Sequence, residues 1–381
     1  MLIPHDDFLI HQTPFPLAQP EGGHVDFYDR YMMNGYDENG YFAVAFGTYP
    51  NRGIVDAGFG VLADGVQRSV MVSGRAPWDR AETSLGPITV EIVEPMRVAR
   101  IIVDAPEQGL SADLVFTTGS PVAEEEHQVR YVGPRRITDV TRATQMGRWQ
   151  GTFTSGGATR TIGAAGLWGT KDHSWGIRHV GDPAPAAPVP QEHQMFMVWT
   201  PLHFQDEYLH SMIFQDVDGF PWSETGVVMA PLREGESPVG PSVAITELAS
   251  IRHEVDWAPG TRRSQGGRVF LRRHRDDQEE VIHLEHVMSF RMSAIGYSHP
   301  VFKHGRWHDE LVIAGEVFTT EELDNAEPRN CHVQQVVRAS WGDRKGLGIF
   351  EQMVRGPHHP SGFTGDEDGY RARFVPDDQA S

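Results

Sequence analysis

Gly169-Thr170-Lys171-Asp172-His173-Ser174-Trp175-Gly176-Ile177-Arg178 sets an acid, an imidazole, a hydroxyl, an indole and a guanidinium between two glycines near the middle of the chain. Glycine allows tight turns and close backbone approach, and the residues between are types that carry chemistry or a buried polar network. Side chains alternate along an extended backbone. Read as a strand, the stretch puts Asp172, Ser174 and Arg178 on one face and His173 and Trp175 on the other. One face then suits a fixed ion pair and the other a pocket wall. A purely structural knot where two domains meet is the alternative, because a buried polar network must be hydrogen-bonded whether or not it catalyses.

The surrounding sequence is strand-like throughout. Phe27–Met33 leads through Asp37-Glu38-Asn39-Gly40 into Tyr41–Tyr49, two aromatic-rich runs around an Asn-Gly hairpin signal. After a Pro50–Gly53 turn, Ile54–Leu62 is ended by Asp64-Gly65. Gln67–Val72, Ile88–Ile92, Val98–Val103 and Ala112–Phe116 follow, at the spacing of about 8–12 residues that sandwiches and barrels produce. Val129–Val140 and Met146–Thr152 have mixed polarity and read as strands or long loops approaching the central stretch. Gly181–Pro190 is rich in Pro and Ala, unsuited to a strand or helix interior. Beyond it the pattern restarts with Met195–Thr200, Tyr208–Gln215, Gly226–Met229, Val243–Trp257, Arg268–Arg273, Val281–Phe290, 311–318, 332–338 and Gly346–Val354. The chain thus reads as all-β, with two tandem β-rich domains. Residues 1–180 form the first, 181–190 a linker, 191–365 the second and 366–381 a flexible tail. Alternation alone does not separate a β-barrel from a β-sandwich.

Size and charge narrow the function classes. At 381 residues, two domains are the natural expectation. A formal net charge of -19 argues against a nucleic-acid surface, which needs a basic face. The single cysteine, Cys331, excludes an intrachain disulfide and fits a reducing cytoplasm. The start, Met1-Leu2-Ile3-Pro4-His5, lacks the basic and apolar regions of a signal peptide, and no apolar run is long enough for a membrane-spanning helix. The expected partner is an apolar small molecule, with a homodimer left open.

Cofactor and metal signatures are missing. His283-x-x-His286 lies on a strand-like run whose alternation points the two rings apart; His304, His308, His358 and His359 sit in turn-like segments, and no His-Glu-x-x-His occurs. Gly58-x-Gly60 and Gly163-x-x-Gly166 lack the strand-turn-helix setting of dinucleotide sites, and no Gly-x-Ser-x-Gly elbow is present. Neither metal nor cofactor is expected. Acids within apolar runs are more informative: Asp56, Glu316 and Glu351 each share an alternating face with aliphatic residues. Burial raises a carboxyl pKa and suits it to general-acid work; facing water or pairing with arginine is the other reading for each. Tyr28, Tyr31, Tyr36, Trp175, Trp199, Tyr208 and Trp222 are candidates to line an apolar cavity, or to pack as ordinary strand aromatics.

The Asp172-His173-Ser174-Trp175-Gly176-Ile177-Arg178 heptad in a strand-rich chain resembles the signature of a tandem lipocalin-like superfamily. That superfamily includes carotenoid 1,2-hydratases (hydroxyneurosporene synthases), AttH-like proteins and many uncharacterised bacterial members, to which the likeness is greatest, over about residues 20–360. The resemblance implies two lipocalin-like barrels with pockets for isoprenoid or polycyclic ligands. For the hydratase branch it implies acid-driven addition of water to a double bond without a redox cofactor. On that basis Asp172 is the proton donor or orients His173, Trp175 faces the cation and Arg178 fixes the acid; Glu351, from its apolar alternating face and not from the resemblance, is a further catalytic candidate. Tyr28, Tyr31, Asp56, Trp199 and Tyr208 are the substrate-binding candidates. The function expected is a cofactor-free hydratase, isomerase or cyclase-like enzyme; a non-catalytic lipid or terpenoid carrier is the alternative.

Overall fold

The structure, a computed structural model, describes residues 4–20, 22–182, 194–320 and 327–365. Of the expected 181–190 linker only Gly181 and Asp182 fall within these residues, and the expected 366–381 tail lies outside them.

Short apolar-polar runs punctuated by Gly, Pro and Asx turns fold into strands that pair as two antiparallel sheets. From edge to edge the first contains Leu311–Thr319, Val66–Arg75, Ile54–Ala63, Gly40–Tyr49, Phe27–Asp37, Ala158–Ile177, Arg135–Ser155, Leu110–Thr118, Val98–Ala105, Ile88–Glu94 and Ser84–Leu85. Ala123–Glu124 and Gln128–Val132 add to the flank of Arg135–Ser155. The second sheet runs Ile245–Glu247, Pro221–Met229, Tyr208–Gln215, Met195–His203, Arg344–Arg355, His332–Trp341, Glu280–Arg291, Ser264–Arg272 and Ser250–Trp257. Each curls into a half-barrel around its own core, as the all-β reading of two tandem barrel-like units anticipates. Among the described strands, Leu311–Thr319 alone pairs outside its half of the chain, extending the first sheet beside Val66–Arg75.

The sheets also share a third apolar layer. Phe42 and Val44 point into the first half-barrel while Tyr41, Ala43 and Ala45 face the other way, so Gly40–Tyr49 is buried on both faces. Met32, Tyr36, Met197, Trp199, Met212, Phe290 and Ile349 complete this interlayer. Burying both faces of a strand replaces polar-out alternation with a near-continuous apolar run.

The middle of the first sheet is a long hairpin, Arg135–Ser155 with Ala158–Ile177. Its mixed polarity, ambiguous in sequence, follows from its position: one face touches the first core, the other meets the interlayer, and the tip is exposed. Near Trp149/Gly151 the register slips, so that Gln150 lies opposite residues 163–166. Beyond this bulge Asp172 sits opposite Thr144 and Met32. The glycines flanking the heptad permit close approach. A Cβ on Gly169 would lie 2.3 Å from both Asn34 O and Trp149 Nε1, and one on Gly176 2.1 Å from Asp139 O.

Candidate functional site

Strand alternation divides the heptad as the sequence indicates. Asp172 and Ser174 are buried on the interlayer face. His173 and Trp175 lie on the opposite face, with ring centroids 4.9 Å apart, at the mouth of the first half-barrel. One strand therefore feeds two places. Asp172 does not orient His173, whose Nε2 instead donates to Asp29 Oδ1 at 2.8 Å. Nor do Asp172 and Trp175 face one common ligand.

On the interlayer face, two carboxylates share one guanidinium. Arg142 Nη1 donates to Glu125 Oε2 at 3.1 Å, and its Nε lies 3.5 Å from Asp172 Oδ1. His210 Nε2, from the second sheet, donates to Glu125 Oε1 at 3.0 Å. Burial pushes Glu125 upward, but the Arg142 charge and the His210 hydrogen bond override it and hold the carboxyl at about 2. Burial pushes Asp172 up to about 7; Arg142 opposes the shift, and the negative charges of Glu125 and Glu351 reinforce it. The pair is thereby split into one carboxylate and one acid that still holds its proton near neutrality, the arrangement by which environments assign acid and base roles. The Asp172 side chain keeps 11% of its surface accessible, so the acid is screened yet reachable.

A polar chain links the acid's strand to the second sheet. Asn34 Oδ1 accepts from Thr170 N and Oγ1, at 3.0 and 2.8 Å, and Asn34 Nδ2 donates to Gln334 Oε1 at 2.9 Å. Gln334 Nε2 donates to Glu351 Oε2, and His332 Nε2 donates to Glu351 Oε1 at 2.5 Å. Glu351 is thus buried with both oxygens engaged. Trp199 pairs with Glu351 in register and packs edge-on to His210, at 5.9 Å between centroids. Within the described residues, Asp172 Oδ1, Trp199 Nε1, Tyr28 Oη, Arg178 Nε and His210 Nδ1 are buried with no hydrogen-bond partner. Buried polar atoms normally find partners; here Asp172 Oδ1 has the Arg142 ion pair as its polar contact.

The remaining sequence candidates divide between this layer and other places. The Arg178 guanidinium stacks over Tyr28 at 4.5 Å and acts on Asp172 by charge, while the ion-pair contact to Asp172 comes from Arg142. Asp56 is buried with Arg30 Nη1 at 3.3 Å and Gly305 N donating to it at 2.8 Å, so its contacts are made inside the chain. Tyr208 packs with Trp168 and His203 elsewhere in the interlayer. Tyr31 belongs to the mouth of the first half-barrel, its ring 4.4 Å from that of His173. Glu125, Arg142 and His210 were not singled out by sequence. Glu125 lies in a Glu124–Glu126 run that reads as solvated, and Arg142 meets Asp172 only through the bulged register.

Among the described residues no cluster of three His, Cys, Asp or Glu side chains is placed to hold a metal ion. No described helix is long and apolar enough to cross a membrane.

Two curled antiparallel sheets with a polar network in their shared layer define a tandem lipocalin-like β protein. Solved structures share the layout. One is an AttH-like protein of Nitrosomonas europaea, with a TM-score of 0.52 and 12% identity, covering 91% of this chain and 99% of that one. Another is CghA, determined with Sch210972, with a TM-score of 0.50 and 12% identity over 87% of this chain and 89% of that one. By sequence, the chain belongs to the family of unknown function DUF8625, whose profile matches residues 2–364. No curated protein matches it. At such identities the likeness carries the fold and leaves the reaction to the site.

Proposed function

We propose that this protein is a cofactor-free acid catalyst, a hydratase, isomerase or cyclase, acting on an apolar unsaturated substrate admitted to the layer between the two half-barrels. The observation that carries the reading is Asp172: a screened but reachable carboxylic acid, protonated near neutrality, beside a carboxylate held ionised by the same arginine. In the proposed reaction the Asp172 proton passes to one carbon of a double bond, leaving a cation on the other. Water then adds to the cation and returns a proton to the carboxylate. In an isomerase the cation instead loses a neighbouring proton to the Asp172 carboxylate; in a cyclase a second double bond first captures it, and the new cation so formed loses a proton to that carboxylate. The Arg142–Glu125–His210 group fixes the acid, while Trp199, on the acid's side of the strand, takes the cation-facing role that sequence reading gave to Trp175. A positioned general acid supplies about 10²–10⁴-fold acceleration, and preorganised electrostatics add to it.

The small-molecule complex described for CghA and the hydratase resemblance of the heptad support a small-molecule site. The acidic composition and lone cysteine fit cytoplasmic work. As a test, purified, metal-stripped protein is incubated with unsaturated terpenoids and polycyclic compounds in deuterated water, and product mass and deuterium incorporation are followed. Turnover is expected in wild type and absent from folded Asp172→Asn. Turnover that persists in that variant removes Asp172 from the role, and saturable binding of every bound compound without conversion favours the carrier alternative.

A further inference from the structure

His173 and Trp175 take no part in the acid site. Residues paired across neighbouring strands share a face of the sheet, and register sets these two in a pair of rows over three strands. Phe46, Tyr31 and His173 form one row; Thr48, Asp29 and Trp175 form the next. The first two members of each row, with Arg80, Ala81 and Ile92 among others, line a cavity of about 330 Å³. Pockets for small molecules begin at about 300 Å³.

Tyr31, Phe46 and Ile92 give this cavity an apolar wall, and Asp29 and Arg80 give it a charged one. The two charged side chains are 39% and 25% accessible. Each is anchored by one hydrogen bond: His173 Nε2 donates to Asp29 Oδ1 at 2.8 Å, and Arg80 Nη1 donates to Leu17 O at 3.2 Å. Their other atoms approach without bonding. Asp29 Oδ2 lies 3.9 Å from Arg80 Nη2, beyond hydrogen-bond reach. One oxygen set about 2.8 Å from each reaches both. It has to accept from the guanidinium and donate to the carboxylate, and a hydroxyl does both. A carboxylate in that place would meet Asp29 with like charge, and an ammonium would meet Arg80 in the same way.

We propose that this mouth is a second ligand site, separate from the interlayer, which binds a small neutral alcohol through a hydroxyl bridging Arg80 and Asp29. Tyr31, Phe46 and Ile92 hold the apolar body, which is what an alcohol offers there and water does not. His173 is a positioning residue: it occupies one Asp29 oxygen and presents the other to the ligand. The site binds without any bond being made or broken.

To test this, the full chain is titrated calorimetrically at neutral pH with hydrocinnamyl alcohol, its methyl ether and hydrocinnamate. None of the three has an alkene, so the interlayer acid has nothing to protonate and the outcome is independent of the proposed reaction. The alcohol is expected to saturate and to bind about tenfold more tightly than the ether, which cannot donate to Asp29; a hydrogen bond to a charged group is at stake. The carboxylate should bind no more tightly than the ether. Absence of saturable alcohol binding, equal affinity for the ether, or a preference for the carboxylate overturns the proposal, so wild-type protein decides the matter even if a variant fails to fold. In folded Asp29→Asn the new amide donates to an ether oxygen as readily as to a hydroxyl, and the preference for the alcohol should disappear. A preference that persists overturns the bridge. Ala81 is exposed, so Ala81→Trp narrows the cavity without entering the core. It should weaken alcohol binding severalfold, and unchanged affinity overturns placement of the alcohol in this cavity.

Discussion

Replacing Asp172 by asparagine keeps the outline of the neutral acid and removes its ability to ionise. Burial raises this carboxyl from 3.8 to about 7 in the folded protein. Below about pH 4 both folded and unfolded states hold the proton, and the shift does not affect stability. Between pH 4 and 7 the unfolded chain releases it while the folded chain retains it, so folding is progressively disfavoured. Above pH 7 both states are ionised and the penalty is complete. At about 1.4 kcal/mol per pKa unit it reaches about 4 kcal/mol, of which about 1 to 2 kcal/mol is already present at pH 5. The asparagine variant is spared this term; its altered contact with Arg142 adds an offset independent of pH. Urea unfolding, followed through the nine tryptophans, is compared for the two proteins at pH 5, 6, 7 and 8. The variant's stability relative to wild type should grow by about 2 to 3 kcal/mol from pH 5 to pH 8. Other titrating groups occur in both proteins and largely cancel. A difference that stays flat across this range would show Asp172 already ionised against Arg142 at pH 5, and the proton-donor assignment would go with it.

Gly169→Ala should destabilise the fold by about 1–3 kcal/mol in thermal or urea unfolding, because the added carbon would press on both the Asn34 carbonyl and the Trp149 indole. An unchanged midpoint would mean that the central hairpin yields there. Arg178→Lys retains the charge that acts on Asp172 but loses the planar stack on Tyr28. A loss of about 1 kcal/mol is expected at pH 7, and a variant as stable as wild type would count against a structural role for that stack.

Fold and site were legible to different depths. The hairpin from Phe27 to Tyr49 could be read because Asn39-Gly40 marks its turn and aromatic residues mark both arms. The Asp172/His173 division followed from the period-two rule, which needs no partner strand. What alternation cannot supply is pairing over distance. Arg142 reaches Asp172 because residues 163–166 are accommodated opposite Gln150; counting back from the Gly156-Gly157 turn without that bulge would put a different residue beside the acid. His210 meets Glu125 only when one sheet lies against the other. The first-sheet place of Leu311–Thr319 was hidden for the same reason: its local pattern says strand, and nothing local says which sheet.

The heptad's density of reactive side chains has a geometric explanation that needs no single constellation. A strand between two layers presents alternate residues to each, so Asp172 faces the interlayer while Lys171, His173 and Trp175 face the first half-barrel. A shift of one residue would exchange the two sets, sending the lysine to the acid's arginine and the acid to the mouth. Both assignments therefore depend on register. Gly169 and Gly176 lie at the two ends of the segment, each pressed against neighbouring backbone where a Cβ has no room. A slip that brought Thr170 or Trp175 to either place would meet those contacts with a side chain. The tight contacts at the two glycines thus hold the strand against slippage, and alternation divides the side chains between them, so a variant that disturbs either glycine should alter both faces together, whereas Asp172→Asn should leave the register intact.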